Sequence, residues 1–246
     1  MALTIKPFEC AAANFLKGRP AQLEVEAVVI HVIDGSQSAA DATFRDAGLV
    51  DRRSAHYSIS RAGEIHQYVA EDDTAFHAGV LHQPTWTGLR RKPDGTFVNP
   101  NFYTIGIEHE GRADDPWPDA MYDASAALLR DIVSRHPKLS PLTRANVVRH
   151  REIRSNKTCP GSQADLARLI HQAGGDAPEV PDVLVARSAV NVRRGQPSSK
   201  APLVRVIPAG ELVNVRAKVT GESVNGVSVW YRNMDDDFVW GGALAG

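Results

Sequence analysis

The chain has 246 residues, a length that suits one ordinary domain followed by a small module. Its composition is 43% apolar and 23% charged, as expected for a globular protein with a packed core. The formal net charge of −1 argues against nucleic acid as a partner, because nucleic-acid-binding domains carry a strongly basic surface. The nine histidines are more informative, since histidine binds metals and moves protons near neutral pH.

The two cysteines, Cys10 and Cys159, are too few for a disulfide framework. The first ten residues, MALTIKPFEC, lack the charged start and the apolar stretch of a signal peptide, which predicts synthesis in the cytoplasm. A substrate outside the membrane would then require release or delivery of the protein. The longest apolar run, 27–33, is too short to span a bilayer, so we expect no membrane insertion.

The first 173 residues alternate between strand-like and helix-like patterns. The segment 24–33 is almost continuously apolar and rich in β-branched residues, which indicates a strand buried on both faces. Apolar residues at helical spacing indicate a helix over 118–136. This alternation predicts an α/β domain with a central mixed sheet flanked by helices. The further predicted strands cover 56–60, 64–70, 101–111 and 146–150, and the further helices 36–47 and 162–173.

The remainder of the chain has a different pattern. Residues 174–183 are rich in glycine and proline, which predicts a linker. Beyond it, apolar residues alternate over 213–219 and 227–231, and the Asn225-Gly226 pair between them is typical of a two-residue hairpin turn. We therefore predict that residues 184–246 form a small all-β barrel.

Three residues have the chemistry of a zinc site. Catalytic zinc takes three protein ligands from histidine, cysteine and carboxylates, and His31, His150 and Cys159 lie in or directly after predicted strands. Their spacing alone leaves other interpretations open. A buried histidine such as His31 is often a hydrogen-bonded core residue, and Cys159 could be a core thiol or the disulfide partner of Cys10.

Five sequence segments resemble, in the same order, the zinc-dependent N-acetylmuramoyl-L-alanine amidases. This family includes phage amidase-type lysozymes and animal peptidoglycan recognition proteins. The resemblance covers residues 24–173. The segments are VVIH at 28–31, SAHYSISRAGEIHQYV at 54–69, AFHAG at 75–79, YTIGIEHEG at 103–111 and VVRHREIRSNKTCPG at 147–161.

The resemblance implies that His31, His150 and Cys159 bind Zn²⁺. It also implies a substrate, peptidoglycan or soluble muropeptides, cut between N-acetylmuramic acid and L-alanine. Relatives that lack a ligand at the position of Cys159 only bind peptidoglycan. Because this chain keeps one, the resemblance favours catalysis over the alternative of a non-catalytic peptidoglycan-binding protein.

Two further residues are implied for the chemistry. The resemblance places Glu108 beside the attacking water and Lys157 near the scissile carbonyl. A carboxylate can carry the proton from the water to the leaving amine, and a cation stabilises the developing oxyanion. Glu110 is the rival of Glu108, because residues two apart share one face of a strand.

His56 and His77 are implied to flank the substrate groove and bind substrate. The alternative is that His56 packs in the sheet and His77 shapes a turn. Trp86 and Trp117 lie in predicted loops around the groove, where they could contact glycan or peptide.

The C-terminal segment resembles a bacterial SH3-like domain through SAVNVRRGQPSSKAPLVRVIPAGELVNV and WYRNMDDDFVWGGAL. Such modules commonly bind the peptide part of the cell wall. The aromatic residues Trp230, Tyr231, Phe238 and Trp240 could form a binding face or fill the core. The module favours an endolysin or another cell-wall lytic enzyme, while a cytosolic muropeptide-recycling amidase is the alternative.

Overall fold

A computed structural model describes residues 3–20, 23–175, 182–233, 235 and 237–245. The chain divides into a first unit, Met1–Ala177, and a second unit, Pro178–Gly246. Most of the predicted linker, residues 176–181, lies outside the described residues, so its extent stays a prediction. None of the helices described is long and apolar enough to cross a membrane.

The first unit is built from short strands and four α-helices in its described part. The strands are β1 Ile5–Pro7, β2 Phe15–Leu16, β3 Ala27–Val32, β4 Tyr57–Ile59, β5 Ile65–Gln67, β6 Thr74–Ala75, β7 Thr104–His109 and β8 Val147–Arg149. The helices are α1 Gln37–Arg45, α2 Asp119–Arg135, α3 His150–Ile153 and α4 Leu166–Gln172.

Six strands form the central sheet in the order β1-β5-β4-β7-β3-β8. Only the hairpin of β4 and β5 is antiparallel, and every other neighbouring pair is parallel. The predicted mixed sheet flanked by helices is therefore confirmed. The strands β2 and β6 pair separately in a small antiparallel ribbon.

The central strand β3 is buried on both faces, as its apolar sequence predicted. Val28 and Ile30 pack into the main core with α2 and α4. Ala27 and Val29 face the opposite side, where they pack with α3 and a long loop. Because side chains alternate along a strand, His31 follows Ala27 and Val29 onto this second face.

Capping side chains set where two of the helices begin. The Ser36 hydroxyl accepts a hydrogen bond from the Ala39 amide at the start of α1. Helix α4 was predicted from residue 162 but begins only at Leu166, because the Asp165 carboxylate caps the Arg168 amide.

The second unit is an antiparallel sheet in the order β11-β10-β14-β13-β12-β9-β15. This confirms the predicted all-β character. Asn225 and Gly226, with φ of 49° and 81°, form the predicted two-residue turn. In the described part of the unit, no pairing joins β11 to β15, so a closed barrel is not formed. Its strands are β9 Asp182–Ala186, β10 Val190–Arg193, β11 Leu203–Ile207, β12 Leu212–Val224, β13 Val227–Asn233, β14 Phe238–Trp240 and β15 Leu244–Ala245.

The aromatic residues of the second unit mainly fill its interior. Trp230 is buried and its indole N–H donates to the Glu222 carbonyl at 2.8 Å. Phe238 is buried as well. Tyr231 and Trp240 are partly buried and pack against the core of the unit. The suggestion of an exposed binding face made of all four rings is therefore wrong.

A buried carboxylate, Glu71, ties the loop after β5 to the end of α2. Its oxygens accept hydrogen bonds from the Tyr57 hydroxyl at 2.7 Å, the Arg135 guanidinium at 2.8 and 2.9 Å, and the His136 ring at 2.8 Å. Burial alone would raise the pKa of Glu71, but these hydrogen bonds outweigh it and hold the pKa below its ordinary value of 4.5.

We predict that Glu71→Gln weakens the acid sensitivity of the first unit. A lowered folded-state pKa contributes stability above the unfolded-state value, and that stability is lost as pH falls through the folded value, here below 4.5. At pH 7 the variant should have a free energy of unfolding about 1–3 kcal/mol lower than that of the parent chain, because the substitution leaves buried hydrogen-bond donors unpaired. Arg135 adds little to this, because its side chain is 42% exposed and screened by water.

The measurement is urea unfolding at pH 7 and pH 4 for the parent chain and the variant. Asp72→Asn, at the exposed neighbouring position, is the matched control and should leave the difference between the two pH values unchanged. An unaltered difference in Glu71→Gln would show that this carboxylate does not govern acid stability.

Candidate active site

The pairing of three parallel strands brings the proposed metal ligands together. Strand β3 lies between β7 and β8, with His31 opposite Glu108 and Ile30 opposite Arg149. His150 follows Arg149 directly as the first residue of α3. The two histidines and Glu108 therefore meet at the carboxyl ends of three adjacent strands, on one face of the sheet.

Cys159 completes the cluster from the loop after α3. The ligand atoms of His31, His150 and Cys159 all lie within 4.8 Å of one another, in the one such group found among the described residues. The Cys159 sulfur lies 3.9 Å from Nδ1 of His31 and accepts a hydrogen bond from the Val32 amide at 3.1 Å. Cys10 is also a free thiol and packs in a different cluster, so the alternative of a disulfide is wrong.

The donor set fits zinc. Tetrahedral zinc with nitrogen at about 2.0 Å and sulfur at about 2.3 Å places its ligand atoms about 3.3–3.6 Å apart, slightly closer than these atoms lie here. His150 directs Nε2 at the Ala78 carbonyl, 3.2 Å away, which leaves Nδ1 for a metal. Burial raises the pKa of the Cys159 thiol, and the nearby Glu108 carboxylate adds to this effect. A bound cation would favour the thiolate instead.

A cavity of ≈ 560 Å³ opens onto the cluster. Glu108 and Lys157 both line it, Lys157 from an exposed position. Oxygen Oε2 of Glu108 is buried and has no hydrogen-bond partner among the protein atoms. Burial raises the pKa of Glu108 to about 8. Helix α1 and neighbouring loops also line the cavity, through Ala39, Ala40, Thr43, Phe44, Arg53 and Phe76.

Glu110, the rival of Glu108, has a structural role. One of its carboxylate oxygens accepts the Gln37 amide at the start of α1, and the other accepts the Arg61 amide in the turn after β4. His109, between the two glutamates, points to the opposite face, where its ring stacks on Trp117 with the ring centres 4.0 Å apart. The free Oε2 therefore distinguishes Glu108 as the carboxylate available to a ligand of the cavity.

His77 lines the cavity but has no free ring nitrogen. Its Nδ1 lies 3.1 Å from Nε2 of His31, and its Nε2 lies 3.2 Å from the Thr104 hydroxyl. Substrate binding by His77 stays a prediction, and these contacts favour a role in positioning His31.

His56 is fully buried and does not line the cavity. Its Nδ1 accepts a hydrogen bond from the Gly106 amide at 3.0 Å, and its Nε2 lies 3.1 Å from the Arg19 guanidinium and 3.3 Å from the Asp73 carbonyl oxygen. Burial and the neighbouring Arg19 guanidinium lower the pKa of His56 to about 3, so the ring is neutral. This position supports packing of the sheet, the alternative left open by the sequence, while a direct substrate contact stays a prediction.

The two loop tryptophans are buried rather than displayed to a glycan. The Trp86 indole donates to the Ala145 carbonyl at 2.8 Å, and Trp117 covers His109. The expectation that they contact substrate is wrong for both, because their rings pack inside the protein.

Sequence reasoning missed Asn101 and Thr104, which hold the segment that begins at His77. The Asn101 side-chain oxygen accepts the amides of both His77 and Ala78, at 3.1 and 2.8 Å. Thr104 precedes Glu108 by four residues on β7 and so shares its face of the strand. This period-two relation is a signal from which Thr104 could have been identified.

The chain is similar to known amidases. The family described as N-acetylmuramoyl-L-alanine amidase matches residues 21–162. Over 115 residues the chain is 36% identical to N-acetylmuramoyl-L-alanine amidase A of Achromobacter lyticus, covering 46% of this chain and 53% of that protein. Over 125 residues it is 37% identical to the 1,6-anhydro-N-acetylmuramyl-L-alanine amidase AmpD of Citrobacter freundii, covering 50% and 59%. The chain thus spans between half and three fifths of the length of these curated relatives.

A solved structure supports the same assignment. The crystal structure of a selenomethionine derivative of AmpD superposes with a TM-score of 0.56 at 28% identity, over 70% of this chain and 99% of that one. The aligned part includes nearly all of that protein, so about three tenths of this chain lies outside the alignment. Because the family match covers more than half of the residues, this chain belongs to the N-acetylmuramoyl-L-alanine amidase family.

Proposed function

We propose that the chain is a zinc-dependent amidase that hydrolyses the bond between N-acetylmuramic acid and L-alanine of peptidoglycan. The observation that carries this proposal is the convergence of His31, His150 and Cys159 beside Glu108, whose Oε2 is buried without a partner. A family member that only binds peptidoglycan would not require a complete set of metal ligands.

Each side chain has a defined task in this proposal. Bound zinc supplies the Lewis acidity that activates water and polarises the scissile carbonyl. The Glu108 carboxylate accepts a proton from the attacking water and returns it to the alanine nitrogen as the amide bond breaks. The Lys157 ammonium, at the exposed rim of the cavity, stabilises negative charge on the carbonyl oxygen.

We further propose that the second unit is an SH3-like module that binds the wall and that the enzyme is an endolysin or a related lytic enzyme. Its sequence resemblance to bacterial SH3-like domains and its antiparallel all-β sheet support this. Tethering to an insoluble substrate raises its effective concentration at the active site, whereas a recycling enzyme acts on soluble fragments and gains nothing from a tether.

The first test of the proposed function measures metal content together with amide cleavage. We expect about one zinc per chain, because three ligands and an open position define a catalytic site. A muramoyl-peptide should release free L-alanine amino ends, and a chelator should abolish this until zinc is restored. Absence of both zinc and cleavage, even after zinc is added, would leave only a peptidoglycan-binding protein.

We predict that Glu108→Gln lowers the rate of amide hydrolysis by about 10²–10⁴-fold, the usual contribution of a general acid–base group. This corresponds to roughly 3–5 kcal/mol of activation free energy. Glu110→Gln is the matched control, because it weakens the anchoring of α1 but leaves the carboxylate in the cavity. Equal rates for Glu108→Gln and the parent enzyme would remove Glu108 from the mechanism.

We predict that removal of the second unit separates activity on walls from activity on fragments. A chain that ends at residue 177 should cleave soluble muropeptides at the parent rate but intact cell walls more slowly, because it loses the tether. Sedimentation with purified walls measures binding in parallel. An equal loss of rate on both substrates would contradict a wall-binding role.

A further inference from the structure

We propose that the His77–Ala78 segment fixes the tautomers of both zinc histidines, so that each presents Nδ1 to the metal. This inference rests on the proposed function, since it concerns the same metal site. It assigns His77 a positioning role instead of a substrate contact.

The direction of one hydrogen-bond chain follows from its last member. The Thr104 hydroxyl lies 2.8 Å from the Pro100 carbonyl oxygen, which can only accept, so the hydroxyl donates there. Its lone pair then accepts the proton on Nε2 of His77, 3.2 Å away. A neutral imidazole carries one proton, so Nδ1 of His77 is an acceptor.

The hydrogen-bond chain continues from His77 to the metal ligand His31. Because Nδ1 of His77 accepts, Nε2 of His31 donates to it across 3.1 Å. The unprotonated nitrogen of His31 is therefore Nδ1, the atom that lies 3.9 Å from the Cys159 sulfur and 4.0 Å from the Glu108 carboxylate. The His31 ring therefore has the tautomer that metal binding through Nδ1 requires, even in the metal-free protein.

The tautomer of His150 is fixed by Ala78, the residue that follows His77. Its Nε2 lies 3.2 Å from the Ala78 carbonyl oxygen, an obligatory acceptor, so Nε2 carries the proton and Nδ1 is free. Asn101 accepts the amides of both His77 and Ala78 and holds the segment in place. Two consecutive residues thus orient two ligands that are 119 positions apart in the sequence.

The space for this arrangement is provided by Gly106 on β7. A Cβ atom at this position would lie 2.4 Å from Cγ of His77, too close for the ring to stay where it is. The absence of a side chain at Gly106 leaves room for the imidazole between Thr104 and His31.

The decisive variant is Thr104→Val, which keeps the shape of the side chain and removes the hydroxyl that orients His77. We expect zinc affinity, measured by competition with a chromophoric chelator, to fall about 10–100-fold, the usual effect of losing a group that orients a ligand. Thr74→Val is the matched control. Thr74 is equally buried and its hydroxyl also donates to a backbone carbonyl, that of Gly18, so the control should lose stability but keep zinc affinity.

Substitutions of His77 test the hydrogen bond that links Thr104 to His31 through the His77 ring. His77→Leu should lower zinc affinity as Thr104→Val does. His77→Asn should restore most of it, because the amide oxygen can stand near the position of Nδ1 and accept from His31. Equal affinity in the leucine and asparagine variants would overturn the proposed hydrogen bond to His31.

Nitrogen-15 spectra of the metal-free parent protein report the tautomers directly. We expect His31, His77 and His150 to carry their protons on Nε2, and Thr104→Val to remove this preference at His77. A proton on Nδ1 of any of the three in the parent protein would overturn the inference. If the parent protein binds no zinc at all, the proposed function fails; if it binds zinc and Thr104→Val binds it equally well, only this inference fails.

Discussion

The parallel pairing of β3 with β7 on one side and β8 on the other is the constraint on which the site depends. It aligns His31 with Glu108 and brings His150 one residue beyond the aligned part of β8. Because side chains alternate along a strand, a slip of one residue would move His31 into the apolar core on the other face. The buried pairs of Val28 and Ile30 with α2 resist such a slip, so the core of the domain also sets the register of the active site.

The second constraint is electrostatic. Burial lowers the pKa of His31 and His77 well below the ordinary value, and neighbouring histidines add to the effect. Burial also raises the pKa of Glu108 and of the Cys159 thiol. Without a cation, burial therefore favours the neutral forms of these four groups. A divalent metal reverses this preference for the thiol and the carboxylate, because it supplies the charge that solvent no longer does. The same pocket that disfavours isolated charges is thus suited to a dication with anionic neighbours.

The secondary-structure elements that were predicted correctly have sequence patterns long enough to show a helical or strand period, or contain a specific turn motif. The apolar run around β3, the helical spacing of α2 and the Asn225-Gly226 turn were all confirmed. The strands β1, β2 and β6 were not predicted, since two or three residues are too few to show a period of two. Helix α3 has only four residues, and the Glu152 carboxylate accepts the Arg149 amide at its start, a contact that the motif around His150 did not suggest.

The candidate site was predicted only in part, and for a related reason. The ligand set came from the resemblance of whole segments, because the spacing of His31, His150 and Cys159 alone fits several interpretations. The resemblance also favoured Glu108 over Glu110, but the contacts of Glu110 with Gln37 and Arg61, which explain this choice, are not visible in any linear pattern. His77 was assigned to substrate because its motif lies near the groove. Its hydrogen bond to His31 joins residues 46 positions apart, a distance over which no local pattern is informative.

The origin of the tautomer preference is main-chain rather than side-chain chemistry. The two hydrogen-bond paths end at the carbonyl oxygens of Pro100 and Ala78, which accept in every protonation state. The side chains of Thr104 and His77 can each donate or accept, so the order of donors and acceptors along the first path is set by the Pro100 carbonyl oxygen. A carboxylate at the end of such a path could be protonated and reverse the bond, whereas a peptide carbonyl cannot. The geometry therefore keeps Nδ1 of His31 and of His150 available to a metal even though burial deprives the site of solvent.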